Sequence, residues 1–407
     1  MAKVLSINSG SSSMKISLFE MPAEKCLAKI LIDYADRKNQ KAVLTITDQK
    51  EIYIDHFSKK MHPIELTVKL LKKQGLIKDA ADIFGIGHRI VAGGEVFTKS
   101  TEITESMLTK LNELTELAPL HNPANIAGIH EAEKLFPHCR QVAVFDTSFH
   151  TSLPPENYLY AIPLKYYHDY KVRKYGAHGT SHRYVAQQAA QMLKKPIDSL
   201  KLITLHLGSG ASAAAIKDGK SLDTSMGFSP VSGLMMSTRS GDIDPSALAF
   251  LLDHGAFKDI DDCLNILNHH AGILGVSKIS RDMREVQEKI KTDPKADLAV
   301  KMFVKKICDY IGAYWIELGG ADAIVFTGGI GENDCVIRDM ICHKLACLGI
   351  KFQPHYNQEH RLPFDFSAED SSARLLAIPT NEELMIARDT FAIVKKQAAT
   401  VQTEELS

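Results

Sequence analysis

The sequence predicts an α/β protein made of two like halves, and three observations carry that expectation. At 407 residues the chain exceeds the roughly 250–300 residues at which a single core stops growing, so two domains are expected. Apolar strand patterns alternate with amphipathic helical ones along its length. Each half also opens alike: with Gly10 set against Gly208, "VLSINSGSSSMKI" and "LITLHLGSGASAA" both read as strand, Gly/Ser turn and returning strand.

The elements follow in order. "KVLSINS" and "MKISLF" form a hairpin, and "AVLTIT" is a further strand. "HPIELTVKLLKKQG" is a helix with a glycine stop, and "DIFGIGHRIV" is a buried strand. Leu108, Leu111, Leu114 and Leu117 make a helical stripe. Asn122 reads as the cap of the next helix, with Pro123 in its first turn, and "CRQVAVFDTSFH" is a strand with a polar tip. After a proline-containing stretch the order restarts with "KLITLHLGSGASAAAIKDG". A long helix near 295–318 is stopped by Gly319-Gly320, and "AIVFTGGIGEN" is the next strand. "RLLAIPTNEELMIARDTFAIVKK" then runs from strand to helix, with Thr380 and Glu383 at capping-box spacing.

Composition excludes several function classes. A formal net charge of −1 argues against a nucleic-acid groove or an anionic membrane surface. No stretch approaches the ~18 apolar residues of a membrane span, and no secretory leader is read. Seven cysteines without C-x-x-C spacing read as incidental thiols. A soluble, reduced, cytoplasmic protein is expected.

Three Gly-rich turns, Ser9–Ser13, Gly208–Gly210 and Gly328–Gly331, each follow an apolar strand. Glycine lets backbone N–H groups approach a phosphate closely, so the three together point to a nucleotide. Two look-alikes fail. "AAIKDGKS" has Ala214 where a P-loop needs glycine, and "GSGASA" leads into a returning strand where a dinucleotide fingerprint needs a helix.

Polar residues stand at several strand ends: Asn8, Arg89, His121, Asp146, His178, Arg239 and Glu382. Asp242 and Asp244 resemble a D-x-D metal pair, but Asp244 before Pro245 reads better as a helix cap. With Ser181 or Thr180 as cap, His178 lies in the loop before a helix and His182 in its first turn. Two histidines placed so do not share one helical face for a metal.

In this order, "VLSINSGSSSMKISLF", "GHRIVAGGE", "LAPLHNPAN", "VFDTSFH", "YGAHGTSHRYV", "HLGSGAS", "DTSMGFSPVSGLMMSTRSGDIDP", "FTGGIGEN" and "IPTNEELMIA" together resemble the acetate kinase family. The resemblance implies two duplicated ribonuclease H-like domains of the actin-like ATPase fold, with an active-site cleft between them. It places an acyl-substrate-side domain at 1–149 plus 384–407 and a nucleotide-binding and dimerisation domain at 150–383. It implies a homodimer that phosphorylates acetate from ATP, with Mg²⁺ or Mn²⁺ as cofactor. Asn8 and Glu382 then correspond to metal-associated positions, and Ser11, Ser13 and Lys15 to the first phosphate loop. Arg89 and Arg239 match active-site arginines, His178 the transition-state histidine, His121 a second histidine and Asp146 an acid/base position. Because a carboxylate nucleophile is already ionised at neutral pH, Asp146 reads here as an orienter of an arginine or of metal-bound water.

The resemblance further implies nucleotide contacts from His206, Leu207, Gly208, Ser209 and Gly210, from Asp282, Met283 and Arg284, and from Gly329, Ile330, Gly331, Glu332 and Asn333. Val91, Leu120, Ala177 and Pro230 match the acyl pocket. The family usually has phenylalanine at Ala177, histidine at Ala92 and asparagine at Ser209. Loss of an aromatic wall is expected to enlarge the pocket and relax acyl preference toward propionate or butyrate. A chaperone-like ATPase on the same fold is the competing class, and it would not need the two arginines and His178 together.

Overall fold

In the computed structural model, the N-terminal hairpin seeds the first of two sheets. The structure describes residues 1–9, 13–33, 41–47, 51–56, 61–117, 122–359 and 361–404. Ser11, Leu120 and His121 therefore lie outside the described residues. Two compact units divide the chain, Met1–Ser148 with Asn381–Ser407, and Phe149–Thr380.

In the first unit, β1 (Ala2–Ser9) and β2 (Ser13–Met21) pair antiparallel, which sets Asn8 opposite Lys15. β3 (Lys25–Asp33), β4 (Lys41–Ile46) and β5 (Glu51–His56) extend the sheet antiparallel. On the other side of β1, β6 (Ile83–Ile90) runs parallel to it; the edge pair is β7 (Thr101–Glu102) and β8 (Gln141–Phe145), with β8 parallel to β6. β3 was not anticipated. Its inward residues Ala28, Ile30 and Ile32 alternate with a half-buried Leu27 and an exposed Leu31, which blur the period-two signal.

The leucine stripe is helical as expected, although its α-helix ends at Glu113 and Leu114–Leu117 continues as a 3₁₀ turn. The C-terminal helix, Glu382–Glu404, returns to this unit and lies against β6. Gly87 permits that approach: a side-chain carbon there would stand 2.2 Å from Thr390 Oγ1 and 2.5 Å from Ile386. The close seat brings the helix's first residue, Glu382, into the electrostatic surroundings of Arg89.

The second unit repeats the order. β9 (Lys201–Leu207), β10 (Ala211–Lys217) and β11 (Lys220–Thr224) are antiparallel neighbours. β12 (Ala323–Thr327) runs parallel to β9; β13 (Phe364–Asp365) is the edge, and β14 (Arg374–Ala377) runs parallel to β12. Both sheets thus place three antiparallel strands beside two parallel ones in the same sequence, the duplication glimpsed in the Gly/Ser turns. β10 also shows why "GSGASA" is no dinucleotide fingerprint, since Ala211 opens a strand.

Strand periodicity sorts the faces of this sheet. Leu202 and Ala214 pack beneath helix α1 (Gly179–Leu193), against Val185 and Ala189. Thr204, His206 and Ser212 share that face by alternation. Ile203, Leu205 and Ala213 turn to the other side, where helix α2 (Pro294–Leu318) buries Val300, Phe303, Val304, Ile307 and Ile311. Between the ends of β9 and β10 one face is therefore apolar, whereas the other carries hydroxyls and an imidazole toward the start of α1.

Candidate functional site

The first unit gathers its functional side chains at the ends of β1, β6 and β8. Arg89 Nη2 donates to Asp146 Oδ2 at 2.8 Å, and Nη1 donates to Asn8 Oδ1 at 3.3 Å. The Asp146 side chain is fully buried and that of Arg89 is 19 % exposed. Burial alone would lower the Arg89 pKa, but Asp146 and then Glu382 hold it above the ordinary value. The third donor, Arg89 Nε, is buried with no hydrogen-bond partner among the described residues. The guanidinium thus has both Nη atoms anchored and one donor unmet.

The segment after β6 is clamped by α-helical asparagines. Asn125 Oδ1 accepts from Val91 N, and Asn125 Nδ2 donates to Ser9 O. Asn122 bonds both N and O of Ala92, so it braces this loop; the expected role as cap of its own helix is corrected accordingly. His88, beside Arg89, belongs to the core: it pairs with Gln141, and burial pushes its pKa down to about 4. Lys15 is exposed and Ser13 half-buried at the start of β2.

Asn8 and Glu382 offer an amide oxygen and a carboxylate. Among the described residues no group of three or more His, Cys, Asp or Glu side chains could hold a metal ion. Mg²⁺ commonly takes one or two carboxylates beside substrate phosphates and water, so this sparse oxygen set fits a cation arriving with a nucleotide. Asp242 is otherwise engaged, accepting from Gly233 N and Tyr310 Oη, and Asp244 caps its helix through Ser246 N.

The second unit assembles its groups around the turn between β9 and β10. A side-chain carbon on Gly210 would stand 3.3 Å from His178 Nε2 and 3.5 Å from Arg239 Nη1, so both converge on this bare backbone. One on Gly208 would lie 3.8 Å from His206 Nε2 and 3.9 Å from Gly329 N. His178 stacks on His206 with ring centroids 4.2 Å apart. Arg239 has no ion-pair partner among the described residues; its Nη1 donates to Met236 Sδ at 3.8 Å. Burial lowers its pKa. Its turn is closed by Met236 N donating to Arg239 O, and by Ala271 and Leu274 N–H groups donating to Thr238 and Ser237 carbonyls.

A cavity of about 980 Å³ adjoins this turn, lined by residues of the second unit including Gly208, Ser209, Gly210, Arg239, Asp282, Met283, Arg284, Gly329, Ile330 and Asn333. It is roomy enough for a nucleotide. Sequence reasoning missed Asn268, Gln287, Cys335 and Val336 on its wall, none of which belongs to a recognisable motif. Arg284 is folded back on Asp282 in a two-pronged pair that, with the Arg284 backbone N–H, holds the Asp282 carboxyl down to about 2. Leu207 and Gly331 are buried under the loops. Glu332 Oε1 accepts from Gly328 N and Thr380 N, bracing the loop from within. Pro230 is half-buried, and Ala177 is 4 % exposed at the edge of the core.

Two expected caps shift. Helix α1 follows His178 itself, which is left-handed at φ 56°, ψ 24° with no side-chain cap bond; Ser181 Oγ instead pairs with His206 and Thr380. Asn381 Oδ1, one residue beyond Thr380, accepts from Leu384 N at the C-terminal helix. His182 is in the first turn as expected, with its N–H bonded to the His178 carbonyl, yet its ring is fully buried and both nitrogens are engaged.

The chain matches the Acetokinase family over residues 3–388. It belongs to that family. An acetate kinase of Fructilactobacillus sanfranciscensis is 46 % identical over 398 residues, covering 97 % of this chain and all of the relative. The crystal structure of acetate kinase from Porphyromonas gingivalis superimposes with TM-score 0.91 at 42 % identity, over 97 % of this chain and 100 % of that one. A propionate kinase from Francisella tularensis gives 0.89 at 40 % identity, over 96 % and 99 %. The acetokinase family's duplicated actin-like fold accounts for the two equivalent sheets. No helix among the described residues is long and apolar enough to cross a membrane.

Proposed function

We propose that this chain transfers the γ-phosphoryl group of ATP to acetate, forming acetyl phosphate reversibly. The observation that carries the reading is the convergence of His178 Nε2 and Arg239 Nη1 over Gly210, beside a nucleotide-sized cavity. Both reactants are anionic, so catalysis must offset repulsion. Arg239, a cation without a carboxylate partner among the described residues, takes up charge on the transferring group, and His178 adds an N–H donor. In the first unit, Arg89 grips the carboxylate with Asp146 and Asn8 holding its geometry. Acetate arrives ionised and needs no base, so Asp146 orients Arg89. Asn8 and Glu382 would hold Mg²⁺ or Mn²⁺ delivered with ATP; when bound, the ion neutralises phosphate charge. His121 and Leu120 keep the active-site and acyl-pocket roles that the family resemblance gives them.

The test is carboxylate-dependent ADP formation with acyl phosphate trapped as hydroxamate. Acetate, propionate and butyrate are compared in the wild type and in Ala177→Phe. We expect activity on acetate with propionate within roughly 10–200-fold in kcat/KM, since one methylene discriminates by only ~1–3 kcal/mol. Ala177→Phe is expected to sharpen the preference for acetate. An unchanged profile would remove Ala177 from the acyl pocket, and absence of any carboxylate-dependent turnover would leave the chaperone-like ATPase reading.

The homodimer is proposed from a second surface. The helix Pro245–Asp253, "PSALAFLLD", has no buried residue, and it packs beside Ile260–His269. Phe250, Ile260 and Leu264 stand 60 %, 56 % and 46 % exposed there. An apolar patch of this kind is covered in solution by a partner, here a second copy. Phe250→Asp is expected to sediment as a monomer at concentrations where the wild type is a dimer; equal sedimentation would move the interface elsewhere.

A further inference from the structure

The histidine used in the proposed reaction ends a chain of buried hydrogen bonds whose direction can be worked out. Thr204 Oγ1 lies 2.7 Å from His182 Nδ1, and His182 Nε2 lies 2.8 Å from Ser212 Oγ. Ser212 Oγ lies 2.8 Å from His178 Nδ1. Thr204, His182 and Ser212 are all fully buried. Burial first, then the neighbouring His150, His206 and His178, holds the His182 pKa well below its ordinary value, so this ring is neutral and carries one proton.

With His182 neutral, three proton arrangements fit these contacts, because a serine oxygen can accept twice. In the first, Thr204 O–H donates to His182 Nδ1, His182 Nε2–H donates to Ser212 Oγ, and Ser212 O–H donates to His178 Nδ1. In the second every donor is reversed: His178 Nδ1–H donates to Ser212, Ser212 to His182 Nε2, and His182 Nδ1–H to Thr204. The reversed chain leaves the buried Thr204 hydroxyl hydrogen with no acceptor among the described residues. In the third, Thr204 O–H donates to His182 Nδ1 while Ser212 accepts from both His182 Nε2–H and His178 Nδ1–H, which leaves the buried Ser212 hydroxyl hydrogen without an acceptor among the described residues. The first leaves no group of the chain unmet. Buried donors are satisfied in folded proteins, so the first arrangement prevails.

We infer that Thr204, His182 and Ser212 form a one-way relay that fixes His178 as the tautomer protonated on Nε2. In its neutral form His178 then presents an Nε2–H toward the transferring phosphoryl group. The backbone is fixed independently: His150 Nε2–H donates to the Ala177 carbonyl at 2.9 Å, immediately before the left-handed His178. His182 is therefore a positioning residue, beyond its expected place as a helix-start residue, and so are Ser212 and Thr204. The inference rests on His178 acting on the phosphoryl group.

Two experiments on the full-length chain test it. Two-bond ¹H–¹⁵N spectra of ¹⁵N-histidine-labelled protein report the tautomer directly, with the His178 ring assigned by its absence from His178→Gln. In the neutral ring, observed at about pH 8, we expect Nε2 protonated and Nδ1 bare; Nδ1 protonated in neutral His178 overturns the relay. Kinetically, Ser212→Ala is expected to lower kcat by roughly 10–100-fold, the usual effect of removing an orienting partner, with KM for ATP within about twofold. In the His178→Gln background the same change is expected to add no further loss. His182→Leu should behave like Ser212→Ala, whereas His182→Gln, which can both accept from Thr204 and donate to Ser212, should retain more activity. Equal losses in both backgrounds, or wild-type kcat in Ser212→Ala, overturn the relay alone. Wild-type kcat in His178→Gln overturns the catalytic reading of His178, and the relay with it.

Discussion

Replacing Arg239 with alanine is expected to lower kcat for acyl phosphate formation by about 10³–10⁵, the range for an arginine that meets charge on a transferring phosphoryl group. Stability should barely change. Among the described residues Arg239 has no ion-pair partner, so its removal strands no opposite charge. Its surroundings disfavour the cation, since burial lowers its pKa. A half-buried cation kept without an anion is the arrangement expected of the proposed phosphoryl-binding role. Arg239→Lys keeps the charge but loses the planar fork, so it should recover only part of the rate. Steady-state hydroxamate assays paired with thermal unfolding check both halves. A kcat loss below tenfold, or a loss explained by unfolding, would exclude Arg239 from the reaction.

What could be read beforehand divides along contact range. The β1–β2 and β9–β10 hairpins were legible because apolar periodicity and a Gly/Ser turn are local signals. The long helix near 295–318 was legible because its stop, Gly319, is a left-handed residue that glycine adopts freely. The candidate residues were named through ordered motifs, but their partners are long-range and leave no local trace. Nothing near Asn122 in sequence indicates that its amide will meet Ala92. Nothing near His182 indicates Thr204 and Ser212, although strand alternation places those two on one face once the sheet register is known. Caps failed for the same reason. Ser181 and Thr380 have the right chemistry to cap, yet each has a tertiary partner that outcompetes its own helix.

The pair formed by Arg89 and Asp146 separates stability from catalysis. Arg89→Met leaves the fully buried Asp146 carboxylate without its arginine, and breaking a buried pair from one side costs about 3–5 kcal/mol. We expect that loss in urea unfolding, together with loss of turnover, because the only guanidinium with an unmet buried Nε is gone among the described residues. The double variant Arg89→Met/Asp146→Asn removes the stranded charge and should recover at least half of the stability. It should recover none of the activity, since an amide beside a thioether cannot grip a carboxylate. Asp146→Asn alone keeps a hydrogen-bond acceptor for Arg89 Nη2 but weakens the hold, so its kcat should fall far less than that of Arg89→Met. If the double variant regained activity with stability, Arg89 would be a folding element alone. If Arg89→Met lost turnover while keeping wild-type stability, the ion pair would matter only for the ligand.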